Sequence, residues 1–270
     1  MSARPGTGVL DVTRVAHRSL VLRAYATSPL RLLLPRNHGT AAWVYVSSYG
    51  GGLVGGDQVS LSLRVGPAAA AFVSSQASTK IYRSDVPASV HLDATVAAGG
   101  QLVLWPDPVV CFAGSTFRQR QRIELAAGAG LVLVDALSSG RRASGERWRF
   151  DEYSSELSIV CDGRVVLRDA LRLAVADGDI AARMGRFDVL ASVAIVGSTW
   201  TAAIERTLAA VAAQPVERQA DILVAAAPIR DAGCLLRVAG RSIEQVSGVV
   251  RRYLSFVSSF LTDDPWARKW

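Results

Sequence analysis

Strict alternation of apolar and polar residues is the commonest pattern along the chain. Val59, Leu61, Leu63 and Val65 alternate with Ser60, Ser62 and Arg64. That is the period of two expected of a strand with one buried face. Val90, Leu92, Ala94 and Val96 alternate in the same way with His91, Asp93 and Thr95. From Phe117 to Leu125 one face carries Arg118, Arg120, Arg122 and Glu124; the other carries Phe117, Gln119, Gln121, Ile123 and Leu125. Val165, Leu167, Leu171, Leu173 and Val175 line a further strand. Turn signals separate the runs at Gly66-Pro67, Gly99-Gly100, Gly128 to Gly130, Asp162-Gly163 and Asp177-Gly178. Asp162-Gly163 predicts a hairpin between Ile159-Val160 and Val165-Val166, because a type I′ turn needs positive φ at both central residues.

Helical periodicity comes late. Trp200, Ile204, Leu208 and Val211 follow a Ser198/Thr199 cap and stop before Pro215. Ser242 and Gln245 have capping-box spacing, and a stripe runs on from Ile243 through Val246, Val250, Tyr253, Val257 and Phe260/Leu261. A hairpin (222–226 with 234–238) falls between the two helices. The pattern predicts a mainly β chain of many strands with two α-helices near the C-terminus. With no fixed-length repeat and no low-complexity linker, one domain over residues 1–270 fits better than two.

Composition narrows the classes. The 270 residues are 50% apolar and 20% charged, which is globular and excludes disorder. Apolar runs such as 189–197 are too short to span a bilayer, so no membrane association is expected. Met1 to Asp11 lacks a secretory pattern. Three widely spaced cysteines, Cys111, Cys161 and Cys234, suggest a reduced, cytoplasmic chain rather than a disulfide framework. The net charge of +7 comes from 28 Arg and two Lys, Lys80 and Lys269. Such a charge fits a solvated surface or an acidic protein partner; no aromatics interleave the 118–122 arginines, so no nucleic-acid platform is evident.

Four polar blocks stand out. The first is Gly50-Gly51-Gly52-Leu53-Val54-Gly55-Gly56-Asp57. Gly50, Gly52 and Gly55 satisfy G-x-G-x-x-G, so the alternative reading is a nucleotide-binding oxidoreductase using the Gly50–Gly56 loop. Against it, the residues that follow have strand periodicity, and no carboxylate stands at the position that would contact a ribose. The second block is Gln76 to Ser84, containing Lys80 and Arg83, and the third is Trp105-Pro106-Asp107-Pro108 through Cys111 to Gly114. Cys111 reads as a buried thiol or, if exposed, a soft metal ligand. The fourth is Gly140-Arg141-Arg142-Ala143-Ser144-Gly145-Glu146. No C-x-x-C, H-E-x-x-H or G-x-S-x-G pattern occurs, so no nucleophile with its base is visible and no enzyme activity is expected.

In order and spacing the four blocks resemble those of the urease accessory protein family UreD, also called UreH. The resemblance covers about residues 10 to 190, and the chain departs from it at Cys111, where the family often has proline, and in the segment 264–270. It implies a superhelical stack of β-strands with two helices. It also implies a non-enzymatic scaffold and nickel chaperone, which acts with UreF, and through UreF with the GTPase UreG, to load apo-urease. Homodimeric assembly within a UreD–UreF–UreG complex belongs to the same expectation. No cofactor would be tightly bound; Ni(II) would be in transit through an internal passage. Carried onto this sequence, the passage carboxylates are Asp57 and Glu146, with Asp107 a third and Cys111 a further ligand candidate. Gly51, Gly52, Gly55, Gly56, Lys80, Arg83 and Ser144 would shape the lumen. A conduit needs ligands weak enough to release the ion, which separated carboxylates provide. For each carboxylate the competing role is a hydrogen bond that closes its own loop.

Overall fold

The alternating runs assemble into a sheet with one buried and one exposed face. In the computed structural model, which describes residues 5–266, this first sheet contains β1 (Gly6–Val15), β2 (Arg18–Ala26), β6 (Gln58–Val65), β9 (Ala88–Val96), β12 (Thr116–Leu125), β14 (Glu152–Cys161) and β15 (Arg164–Ala174). Their order is β15-β14-β12-β9-β6-β1-β2. A second sheet stacks behind it. Its main path runs β17 (Ile222–Ile229), β18 (Gly233–Gly240), β16 (Val189–Val196), β13 (Gly130–Ser138), β10 (Gln101–Leu104), β7 (Ala70–Ser75), β4 (Ala42–Ser48) and β3 (Leu30–Leu33). Three short strands, β5 (Gly52–Leu53), β8 (Thr79–Ile81) and β11 (Val109–Cys111), form a parallel ladder at one corner. Lys269 and the end of the 264–270 segment lie outside the described residues.

The chain winds through these three ladders in turn. β4 leads to β5, then to β6 in the first sheet and β7 back in the second, and the circuit repeats through β8, β9, β10, β11, β12 and β13. Neighbouring turns of the superhelix are parallel, so Val65, Val96 and Leu125 stand side by side. The bends between sheets stack as well: the Ala68 amide donates to the Ala98 carbonyl and Gly99 to Ala127. Successive circuits differ in length, which explains why no fixed repeat shows in the sequence.

Two cores follow from two patterns of burial. Inward residues of the first sheet, such as Leu61, Leu63 and Ile123, meet Ala71, Val73, Leu102 and Leu131 of the second between the sheets. The second sheet is buried on both faces, as parallel strands usually are. Its other face presents Phe72, Val103, Val132 and Ile195 to the helices. Each fully buried aliphatic side chain there is worth about 1.5–3 kcal/mol relative to exposure.

Among the described residues four α-helices are formed: α1 (Ile180–Met184), α2 (Thr201–Ala212), α3 (Ile243–Tyr253) and α4 (Phe256–Leu261). The short α1, not anticipated, follows the turn expected at Asp177-Gly178, because the Asp179 carboxylate accepts the amides of Ala181 and Ala182. α2 starts without a side-chain cap, after a 3₁₀ turn at Ser198–Trp200. Ser242 caps α3 through the Gln245 amide at 3.2 Å. The single stripe expected from Ile243 to Leu261 is realised as two helices. α3 presents Val246 and Val250 to the second sheet, while α4 sets Phe256 and Phe260 against Trp200 at 5.2 and 4.9 Å. The Asp162-Gly163 hairpin forms as expected, with φ of 47° and 77°.

Candidate functional site

All four blocks singled out in the sequence occupy one place in the fold. Each is the corner segment between a strand of the second sheet and the next strand of the first, and they stack circuit upon circuit. Tyr82 donates its amide to the Leu53 carbonyl at 2.9 Å, Phe112 to Ile81 at 3.0 Å and Gly114 to Arg149 at 2.9 Å. Gly52 pairs with Lys80, and Lys80 with Val110.

Beside this corner, between the sheets, lies a cavity of about 440 Å³. The first sheet contributes Val59, Leu61, Val90, Leu92, Phe117, Gln119 and Gln121; the second contributes Val46, Val73, Leu104 and Asp135. Arg31, Ser47, Tyr49, Gly50, Gly51, Gln76 and Thr79 form the mouth, where Arg31 lies over the Tyr49 ring at 5.0 Å. Two carboxylates line the cavity, Asp107 near the corner and Asp135 at depth.

Asp135 is held by two side chains on one of its oxygens. Its Oδ2 accepts from Gln119 Nε2 at 2.7 Å and from Ser155 Oγ at 2.8 Å. Gln119 Nε2 also approaches Tyr153 OH at 3.3 Å. Among the described residues no hydrogen bond is made to Oδ1. Burial pushes the Asp135 carboxyl above the ordinary 3.8; Ser155 and Gln119 hold it down, and the charge of Asp169 adds to the rise. The residue is half-buried and lines the cavity. On its far side is a small void of about 30 Å³, lined by Asp135, Tyr153, Ser155, Asp169 and Ser192. There Asp169 is ion-paired with Arg237.

The residues expected from the sequence divide into three groups. Asp107, Gly50 and Gly51 line the cavity. Asp107 is joined to Ser75, whose hydroxyl accepts the Asp107 amide at 2.7 Å and donates to its Oδ2 at 3.1 Å. Asp57 and Glu146 do not line it; both tie corner segments. Asp57 Oδ2 accepts the Val54 amide at 2.9 Å and so closes the glycine loop. Glu146 accepts the Ala113 amide at 3.2 Å and is ion-paired with Arg141, whose guanidinium lies over the Phe112 ring at 4.2 Å. Gly52 and Gly55 permit close approach of the second corner segment, and the side chain of Arg83 runs beside Gly114. Lys80, Arg83 and Ser144 are exposed. Cys111 is buried in the core between the sheets, with its thiol pushed up to about 12 by burial, so it is protonated at neutral pH. The chain after the glycine loop enters β6, so no helix N-terminus faces that loop. Among the described residues no three His, Cys, Asp or Glu side chains converge into a metal-holding group. Likewise, no helix is long and apolar enough to cross a membrane.

Asp135 lies in a strand outside the four blocks, and its signal in the sequence is its phase: it falls on the same face of β13 as Leu131, Leu133 and Leu137. Gln119 and Gln121, on the face opposite the arginines of β12, line the cavity.

Glu146 gives a pH-dependent prediction. Arg141 hydrogen bonding, followed by the Ala113 amide, holds its carboxyl below the ordinary 4.5. A depressed carboxyl stabilises the fold above the ordinary value and loses that contribution as pH falls through the depressed one. Hydrogen exchange of the Ala113 amide, followed by NMR and corrected for intrinsic rates, is expected to accelerate in that acid range. In Glu146→Gln it should be fast and independent of pH there.

Comparison with known proteins completes the picture. The sequence profile described as UreD urease accessory protein matches residues 4–270. A urease accessory protein UreD of Sorangium cellulosum is 52% identical over 269 residues, covering 100% of this chain and 86% of the relative. One from Anaeromyxobacter sp. is 49% identical over 267 residues, covering 98% and 90% respectively. The urease accessory protein D of Oryza sativa subsp. indica is 37% identical over 203 residues, 73% of this chain and 66% of the relative.

Proposed function

Because the chain belongs to the UreD urease accessory protein family, we propose that it passes nickel ions through the cavity between its sheets toward apo-urease. In this reading it is a non-catalytic scaffold of one domain that works in the cytoplasm with UreF and, through UreF, with UreG. Nickel is cargo and no cofactor is held. The observation that carries the reading is Asp135: a carboxylate that lines the cavity, with one oxygen anchored by Gln119 and Ser155.

The chemistry suits transit. Asp107 and Asp135 offer hard oxygen ligands, and the cavity leaves room for the ion to keep water. Gln119 and Gln121 supply neutral carbonyl oxygens along a first-sheet wall that is otherwise apolar. A single carboxylate at each stage attracts a dication without enclosing it, so release remains fast. Asp57 and Glu146 brace the corner that frames the mouth, and Gly51, at the mouth itself, leaves room for the backbone. The net charge of +7 fits a chain whose working contacts are with acidic protein surfaces.

The test is to fill the cavity without removing a contact. Gln121 lines it and makes no side-chain hydrogen bond, so Gln121→Trp adds volume there. On co-expression with the urease genes, the nickel content of purified urease is expected to fall while the variant still co-purifies with its accessory partners. Normal nickel content would exclude transit through this cavity.

A further inference from the structure

We propose that the groove between α2 and the α3–α4 junction binds a small organic oxyanion, a carboxylate or a phosphate ester. The groove holds about 400 Å³ and shares no lining residue with the cavity between the sheets. That volume is within the usual range of small-molecule sites. The inference therefore stands independently of nickel transit.

Charge is the first reason. Arg206 of α2 and Arg252 of α3 both line the groove, and no carboxylate does. Neither arginine has an ion-pair partner among the described residues. Guanidinium groups remain charged at any working pH. Two of them in one recess, with no counter-charge, create a local positive potential that a bound anion relieves.

Hydrogen-bond accounting is the second reason. Thr207 of α2 lines the same groove, and its hydroxyl makes no side-chain hydrogen bond among the described residues, so it is available to a ligand atom. Gln214 Nε2 donates to Tyr253 OH at 2.5 Å. The phenol oxygen is thereby engaged as acceptor, and its own hydrogen remains to donate into the groove. Donors exceed acceptors, so the complementary occupant is rich in acceptors and negatively charged. Carboxylate and phosphate oxygens match paired guanidinium groups. The ring of Phe256 lines the groove too and suits a ligand with a carbon body rather than a bare inorganic ion.

The experiment is isothermal titration of the full chain with citrate, with glycerol 3-phosphate and with uncharged glycerol. Saturable binding of one or both anions and none of glycerol is expected, weakening with added salt. The stronger of the two anions identifies the class, carboxylate or phosphate ester. The double variant Arg206→Gln/Arg252→Gln should weaken binding by about tenfold or more. Thr207→Val, which keeps the shape and removes the hydroxyl, should weaken it several-fold with an unchanged melting temperature. Absence of binding by either anion overturns the proposal, as does undiminished binding by the double variant. Failure of both anions combined with loss of an acidic protein partner in that variant would also overturn it, and would assign the groove to a protein interface.

Discussion

Asp135→Asn is expected to reduce the nickel content of co-expressed urease by about tenfold or more, the scale of losing a group that holds a metal in place, while the chain stays folded. Asparagine keeps the shape and can still accept from Gln119 and Ser155, the two donors that fix Asp135 Oδ2. What it loses is the charge that, under the proposed transit, would draw a dication into the cavity. The same variant carries a stability signature that a merely structural role would not produce with the same sign. Burial raises the Asp135 carboxyl above 3.8, so between that value and its folded value the native state holds a proton that the unfolded chain has released. Stability from this group is therefore present at low pH and declines as pH rises through the raised value. Asp135→Asn removes that decline. Thermal melts should show the variant gaining on the parent chain as pH rises from acid toward neutral. A variant that loads nickel normally would remove Asp135 from the path, and one destabilised at neutral pH would make it a structural anchor.

The fold was legible where one face of a strand meets water. Val59 to Val65 and Val90 to Val96 alternate because the polar residues between the apolar ones stand on the outer, solvated face of the first sheet. The hairpin at Asp162-Gly163 was legible because its turn demands residues that tolerate positive φ. Strands of the second sheet carry less signal, since Leu131 to Val134 are buried on both faces and lose alternation. The split between α3 and α4 was hidden for another reason. No proline or glycine marks it, and the apolar stripe continues through Leu254 to Val257. The site was half legible. Its four corner blocks could be picked out by their glycines, prolines and polar runs, but their stacking against one another depends on a superhelical register that has no constant length. Asp57 and Glu146 were expected in a lumen from the family resemblance, but each accepts a backbone amide of a corner segment, while Gly52 and Gly55 let successive corners pack.

Gly55→Val is accordingly expected to be among the most destabilising single changes in the chain, at more than about 3 kcal/mol. A Cβ at position 55 would lie 1.6 Å from Ser84 Oγ, 2.3 Å from Ser84 Cβ and 2.6 Å from the Val86 carbonyl oxygen. Rotating the serine relieves the first contact but not the other two, so the backbone of the next circuit must move. That backbone is not free to move: the Ser84 amide bonds to the Gly114 carbonyl, and the Gly56 amide to the Pro87 carbonyl. Displacing it strains the corner ladder from the first circuit to the third. Gly50 supplies the contrast. Its φ is 79° and a Cβ there would meet nothing within 4 Å, so Gly50→Ala should cost only the ~1–2 kcal/mol of a left-handed residue with a side chain. Urea unfolding measures both, and a midpoint shift at constant slope would locate the effect in the native state. Equal losses at the two positions would mean that backbone conformation, rather than contact between circuits, is what the glycine block provides. A much larger loss at Gly55 would mean that the block exists to let one turn of the superhelix lie against the next.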